Sequence, residues 1–176
     1  MATLRKFKCY RKVVRAYTRK SKYKPKAYVK AVPPSRLVRY HMGEIQKKFK
    51  YKVSLSTKEK TQVRDNALES ARQLSNRRLE NKLGKDGYYF NIRVYPHHAL
   101  RENKMLVGAG ADRMQTGMQR AFGKVIGIAA QLKKNQSVFE VFVNKSGVEA
   151  AKDALKGANQ RLPFDSSIGV TELKKE

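Results

Sequence analysis

The chain has 176 residues, with 40 Lys+Arg against 14 Asp+Glu and a formal net charge of +26. Its longest apolar run, Val125–Ala130, falls far short of the roughly 20 residues a spanning helix needs, and the basic start has no apolar stretch behind it to make a secretory signal. The single cysteine, Cys9, excludes an internal disulfide and a cysteine-rich zinc site, while a 40% hydrophobic content is enough for a packed core.

The charge is uneven. The first 43 residues hold 14 of the Lys+Arg and no Asp or Glu. Blocks of like charge repel themselves and stay extended until a counter-charge arrives, which points to a polyanionic partner, nucleic acid first. Phe7, Tyr10, Tyr17, Tyr23, Tyr28 and Tyr40 interleave with these cations. Such rings can stack on unpaired bases while Arg and Lys neutralise phosphates; equally, they can pack on the protein's own body. Pro25, Pro33 and Pro34 work against a continuous helix. Residues 1–35 are therefore expected to form an extended basic RNA-binding arm. Its contacts would be Arg5, Lys8, Arg11, Arg15, Tyr17, Arg19, Lys22, Tyr23, Lys24 and Lys26.

Residues 36–176 read as one α+β domain. Leu37–Met42 and Lys50–Leu55 suggest strands, the second because Tyr51, Val53 and Leu55 alternate with polar residues. Ser56, Thr57, Lys58 and Glu59 fit an S-x-x-E capping box. The helix it would open runs to about Leu83, with Val63, Ala67, Ala71 and Leu74 on one stripe and Gly84 as its stop. Tyr88–Tyr95 alternates as the clearest strand, and Pro96 ends it. A polar stretch with a Gly-Ala-Gly-Ala loop follows, then a helical pattern of Met114, Met118 and Phe122. Val125–Leu132 and Val138–Val143 suggest a hairpin about a turn at Lys133–Gln136. A second capping box, Ser146 to Glu149, would open a helix bearing Val148, Ala151, Leu155 and Ala158, and a last strand is expected near Ile168–Val170.

No set of residues for catalysis emerges. His97 and His98 are adjacent, and neighbours in extended chain point opposite ways, so one metal or substrate cannot easily meet both. The loop around Gly108 and Gly110 lacks the third glycine of the dinucleotide fingerprint, because position 113 is Arg, and stands twelve residues beyond the preceding strand. Bracketed by Arg101, Lys104, Arg113 and Arg120, it suits a large polyanion better than a mononucleotide. Neither a metal nor any other cofactor is expected. The competing readings are a small RNA-modifying or RNA-cleaving enzyme using His97, His98 and Lys104, and a free-standing translational regulator.

Longer runs are more specific. Tyr95-Pro-His-His-Ala-Leu-Arg-Glu-Asn-Lys-Met, then Gly-Ala-Gly-Ala-Asp-Arg-Met-Gln-Thr-Gly-Met, then Ala121-Phe-Gly-Lys resemble the universal large-subunit ribosomal protein family, in its archaeal and eukaryotic branch. That family holds the bacterial sixteenth large-subunit protein and the archaeal L-ten-e. Ala16-Tyr-Thr-Arg, Met42-Gly43 and Gln62 through Arg72 extend the similarity over about Cys9 to Pro163. The resemblance implies an α/β-hammerhead-like mixed sheet with two to three helices, set among rRNA helices in the cytoplasmic ribosome. It implies 23S-like rRNA with 5S RNA nearby, tRNA and other large-subunit proteins as partners, with no membrane and no small-molecule substrate.

It also implies that residues 101–112 form a loop reaching toward the A-site tRNA near the peptidyl-transferase centre. That region would involve His97, His98, Arg101, Asn103, Lys104, Gly108, Gly110 and Asp112, with Arg113, Gln115, Arg120 and Lys124 at the base. Ala16, Asp65, Val125 and Gln131 depart from the family pattern, so no contact is carried over at positions 65, 125 or 131.

Overall fold

The computed structural model describes residues 6–18, 22–26, 28–29, 31–102 and 123–173. In chain order these form β1 (His41–Gly43), β2 (Tyr51–Thr57), β3 (Thr61–Arg64), α1 (Asp65–Leu83), β4 (Tyr88–Ile92) and β5 (His98–Glu102). After residue 122 come β6 (Lys124–Leu132), β7 (Ser137–Val143), α2 (Val148–Asn159) and β8 (Ser166–Glu172). The α+β reading holds, with two α-helices among the described residues. Every described pairing is antiparallel, in two sheets ordered β1-β4-β7-β2-β8 and β3-β6-β5.

Period-two alternation builds the large sheet. Val53 and Leu55 of β2, Val141 and Val143 of β7, and Phe90 and Ile92 of β4 bury on one face. Phe90 meets Phe139 edge-on at 5.5 Å in the middle of that core. The two helices pack on each other and on this sheet. The α1 helix buries Leu68, Ala71, Ser75 and Leu79, a spacing of three to four residues. The α2 helix buries Ala151, Ala154, Leu155 and Ala158, and its Gly157 leaves room for the Arg78 guanidinium, which donates to the Asp153 carbonyl at 3.1 Å.

The expected hairpin of the sixth and seventh strands does not form. Strand β6 pairs with β3 and β5, while β7 pairs with β2 and β4. The two connections run side by side instead. Ser56 lies opposite Ser137, the Thr57 N–H donates to Gln136 O at 3.1 Å, and Thr61 lies opposite Leu132. The β2–β3 and β6–β7 segments are thus one long antiparallel ribbon, bent where Lys58–Lys60 face Lys133–Asn135. Each half of the ribbon joins a different sheet. Asn135 takes the bend with φ +60, a conformation Asn tolerates better than most residues.

The bend also explains why α1 starts late. Ser56 and Thr57 belong to β2, and Thr57 Oγ1 bonds to Glu59 O at 2.8 Å and accepts its N–H at 3.3 Å, a local turn rather than a helix cap. Val63 is a strand residue, and α1 begins at Asp65. Its end is as expected, with Gly84 at φ +71 donating its N–H to Glu80 O at 3.0 Å. The α2 helix starts at the expected place, after a 3-10 turn at Lys145–Gly147, but Ser146 supplies no cap bond. Of the first expected strand, Leu37–Met42, only His41 and Met42 fall in β1, and His98–Glu102 forms a strand where a loop was expected. The helix expected about Met114 and Met118 lies outside the described residues.

Candidate nucleic-acid interface

The first part of the basic arm is tied to the small sheet, residue by residue. Tyr10 is buried with Leu100 and Ala129 in a satellite core, under the Arg64 guanidinium at 5.1 Å. The Gln62 side-chain amide donates to the carbonyls of Tyr10 and Lys12. The Gln131 amide donates to Val14 O at 2.9 Å. Tyr17 then bonds along the edge of β5: its N–H donates to His98 Nδ1 at 2.8 Å, and its carbonyl accepts the Ala99 N–H at 3.1 Å. The Arg101 guanidinium lies 4.0 Å from the Tyr17 ring centroid, and the Tyr17 hydroxyl donates to Tyr28 O at 2.8 Å.

Pinning the backbone turns the side chains outward. Lys6, Lys8, Arg11, Lys12 and Arg15 are all exposed, as are Lys22, Tyr23, Lys24 and Lys26. Tyr10 and Tyr17 are spent on the protein itself. Tyr23 remains 69% exposed. Arg5 and Arg19 lie outside the described residues.

Several carboxylates, one of them beside the arm, are engaged by cations. Glu59 pairs with Arg11 at 3.2 Å, and Glu140 lies 3.8 Å from Lys52 and 3.6 Å from Arg93. Glu69 takes a two-bond grip from Arg72, at 2.8 and 2.6 Å, which holds its carboxyl below the usual range. The bend of the ribbon adds exposed Lys58, Lys60, Lys133 and Lys134 beside the arm. Sequence reading missed these lysines because each sits in a short turn, where charge is the ordinary solvated choice. Only the bend brings the two turns together.

The two histidines part company. His98 is 6% exposed, and burial first, then the neighbouring His97 and Arg101, lower its pKa from 6.5. Its Nδ1 is occupied by the Tyr17 N–H, so it serves the fold. His97 bonds through Nδ1 to Tyr95 O at 3.0 Å. Among the described residues no three His, Cys, Asp or Glu side chains gather as metal ligands, and no helix is long and apolar enough to cross a membrane.

Two departures from the family pattern have internal uses. Asp65 accepts the Arg36 N–H at 3.0 Å and the Asn66 N–H at 2.9 Å, and Gln131 holds Val14. Lys124 is exposed at the start of β6, across from Glu102. Asn103, Lys104, Gly108, Gly110, Asp112, Arg113, Gln115 and Arg120 lie outside the described residues.

This fold and surface define a basic α+β protein with a pinned, cation-bearing arm beside a lysine-rich bend. Residues 14–169 match the family model of ribosomal protein L16p/L10e, and the chain belongs to that family. It is 45% identical over 173 residues to the large ribosomal subunit protein uL16 of Methanococcus maripaludis strain S2, covering 98% of this chain and 96% of the relative. The protein of the same name from Methanospirillum hungatei JF-1 is 44% identical over 162 residues, covering 92% and 91%. That of Hyperthermus butylicus is 44% identical over 172 residues, covering 94% and 96%. Membership of a ribosomal-protein family makes the chain a structural component and not an enzyme.

Proposed function

We propose that this chain is a structural constituent of the large ribosomal subunit, held there by large-subunit rRNA and by other proteins of the subunit. The observation that carries the reading is the arm: its backbone over residues 10–17 is bonded to the small sheet, its described cations are exposed, and the carboxylate beside them, Glu59, is taken by Arg11. Such a surface is preorganised for phosphates, because the entropy of ordering the arm is spent within the fold. Residues 1–35 act as the arm and 36–176 as the domain that carries it. The bent ribbon joining two sheets supports the hammerhead-type reading of that domain.

The resemblance to the family supports the finer assignment. Residues 101–112 extend toward the A-site tRNA and the peptidyl-transferase centre, with Arg113, Gln115, Arg120 and Lys124 at the base. 5S RNA lies nearby. Bond-making there belongs to RNA.

The test is binding of the full chain to its large-subunit rRNA across salt. With ~8 phosphate contacts, affinity falls about 10³- to 10⁵-fold between roughly 50 and 200 mM salt. A salt-independent constant contradicts the reading. Deleting residues 1–30 would also strip Tyr10 from its core, so Lys6, Lys8 and Lys12→Gln are the cleaner variants; they weaken binding to unrelated RNAs alike. Shortening within 103–112, which spares Arg101 on Tyr17 and the β5–β6 pairing, leaves rRNA binding nearly intact and impairs translation. Loss of subunit incorporation on that shortening would overturn the division of labour.

A further inference from the structure

Between the arm and the bend of the ribbon lies a groove of about 620 Å³. Small-ligand sites run to about 300–1,000 Å³. Its apolar lining is aliphatic: Val13, Val14 and Ala16 from the arm, and Leu132 from β6. Val14 is 50% exposed and presents its side chain to the groove. Three cations, Arg15, Lys60 and Lys133, line the same groove, and no carboxylate does. Glu59, the sequence neighbour of Lys60, is held by Arg11.

The polar residues of the lining each have one end anchored. Gln131 gives one N–H to Val14 O at 2.9 Å, which fixes the amide and leaves its carbonyl oxygen to accept and its second N–H to donate. Gln136 commits its oxygen to the Lys133 N–H at 2.8 Å, so its amide nitrogen remains to donate. His97 Nδ1 lies 3.0 Å from Tyr95 O; a carbonyl only accepts, so in the neutral ring Nδ1 carries the proton and Nε2 accepts. The Gln131 oxygen, and His97 Nε2 in the neutral ring, offer nothing to a phosphate, which has no donor at neutral pH beyond a residual proton. They suit the N–H and O–H groups of a base edge and a ribose. The cations suit the phosphate, and the aliphatic floor suits the face of a base.

We propose that this groove is a pocket for one unpaired ribonucleotide. The base lies on Val14 and Ala16, its edge or 2′-hydroxyl meets Gln131, Gln136 and His97, and its phosphate lies among Arg15, Lys60 and Lys133. The proposal rests on the RNA-binding reading and deepens it, since it makes the arm and the bend read one extruded nucleotide as well as neutralise backbone.

The full chain is titrated with each of the four ribonucleoside 5′-monophosphates in turn, and separately with inorganic phosphate, followed by amide NMR shifts. At least one nucleotide is expected to move the amides of Val14, Ala16, His97 and Gln131 saturably, while phosphate moves only those beside Lys60 and Lys133. Lys133→Gln, an exposed turn substitution, weakens that nucleotide about tenfold, the loss expected of one charge-assisted hydrogen bond. Val14→Asp abolishes the shifts, and Lys152→Gln on the far helix leaves them unchanged. The proposal falls if no nucleotide perturbs the groove, or if phosphate alone reproduces the whole pattern. Binding of large-subunit rRNA by the same sample separates the two readings. Salt-dependent rRNA binding without nucleotide shifts sinks the groove alone; no rRNA binding sinks both.

Discussion

A proton on His98 would cost the fold a hydrogen bond, because Nδ1 takes the Tyr17 N–H that holds the arm to β5. Burial, then the neighbouring His97 and Arg101, set the folded pKa below the value of 6.5 expected for the unfolded chain. Between those two values the unfolded state binds more protons. Stability from this residue is therefore present above about 6.5 and is lost as pH falls toward the folded value. Protease cleavage within residues 10–17 should accelerate as pH drops through that window, and His98→Ala should remove the pH dependence while raising cleavage throughout. Cleavage of the wild-type chain that ignores pH would contradict this role. The opposite orientations of the two histidines were legible in sequence, since extended neighbours alternate. The partner of His98 was not, because Tyr17 stands 81 positions away and nothing local marks the pair.

At the scale of elements, the bent ribbon sets the architecture, and it is where sequence reading went astray. The strands themselves were visible in the alternation of Tyr51–Leu55, Tyr88–Tyr95 and Val138–Val143, although the second pairs only over Tyr88–Ile92. Their partners were not: a short turn between two strands is the ordinary sign of a hairpin, and only the matching break at Lys58–Lys60 lets the chain bend into a second sheet. The S-x-x-E pattern at that break misled for the same reason, because Thr57 bonds locally in a turn as readily as a hydroxyl caps a helix. Leu55, wholly buried beside the bend, is expected to cost about 2–5 kcal/mol as Ala in urea unfolding. Gly43, at φ +82, sits where an added Cβ would collide with the Tyr88 carbonyl oxygen. Gly43→Ala should therefore destabilise the β1–β4 pairing and lower the melting temperature, whereas Gly84→Ala, with open space around it, pays only for its positive φ. Equal effects at the two glycines would contradict the close approach.

For the whole molecule, a net charge of +26 on 176 residues is self-repulsion that the fold tolerates rather than relieves. The described ion pairs occupy several carboxylates and leave the arm and the bend positive. That imbalance was legible from composition alone, and the long Tyr95–Met105 and Gly108–Met118 runs gave the family. The groove was not legible, because Arg15, Lys60 and Lys133 meet only once the arm is laid on the small sheet. A polypeptide with this surface should be found on its counter-charge in the cell. Sedimentation of a native extract on a density gradient tests that most directly: the chain should travel with the large ribosomal subunit at low salt and be stripped from it at high salt. A chain that stayed at the top of the gradient at every salt concentration, free of RNA, would contradict the account.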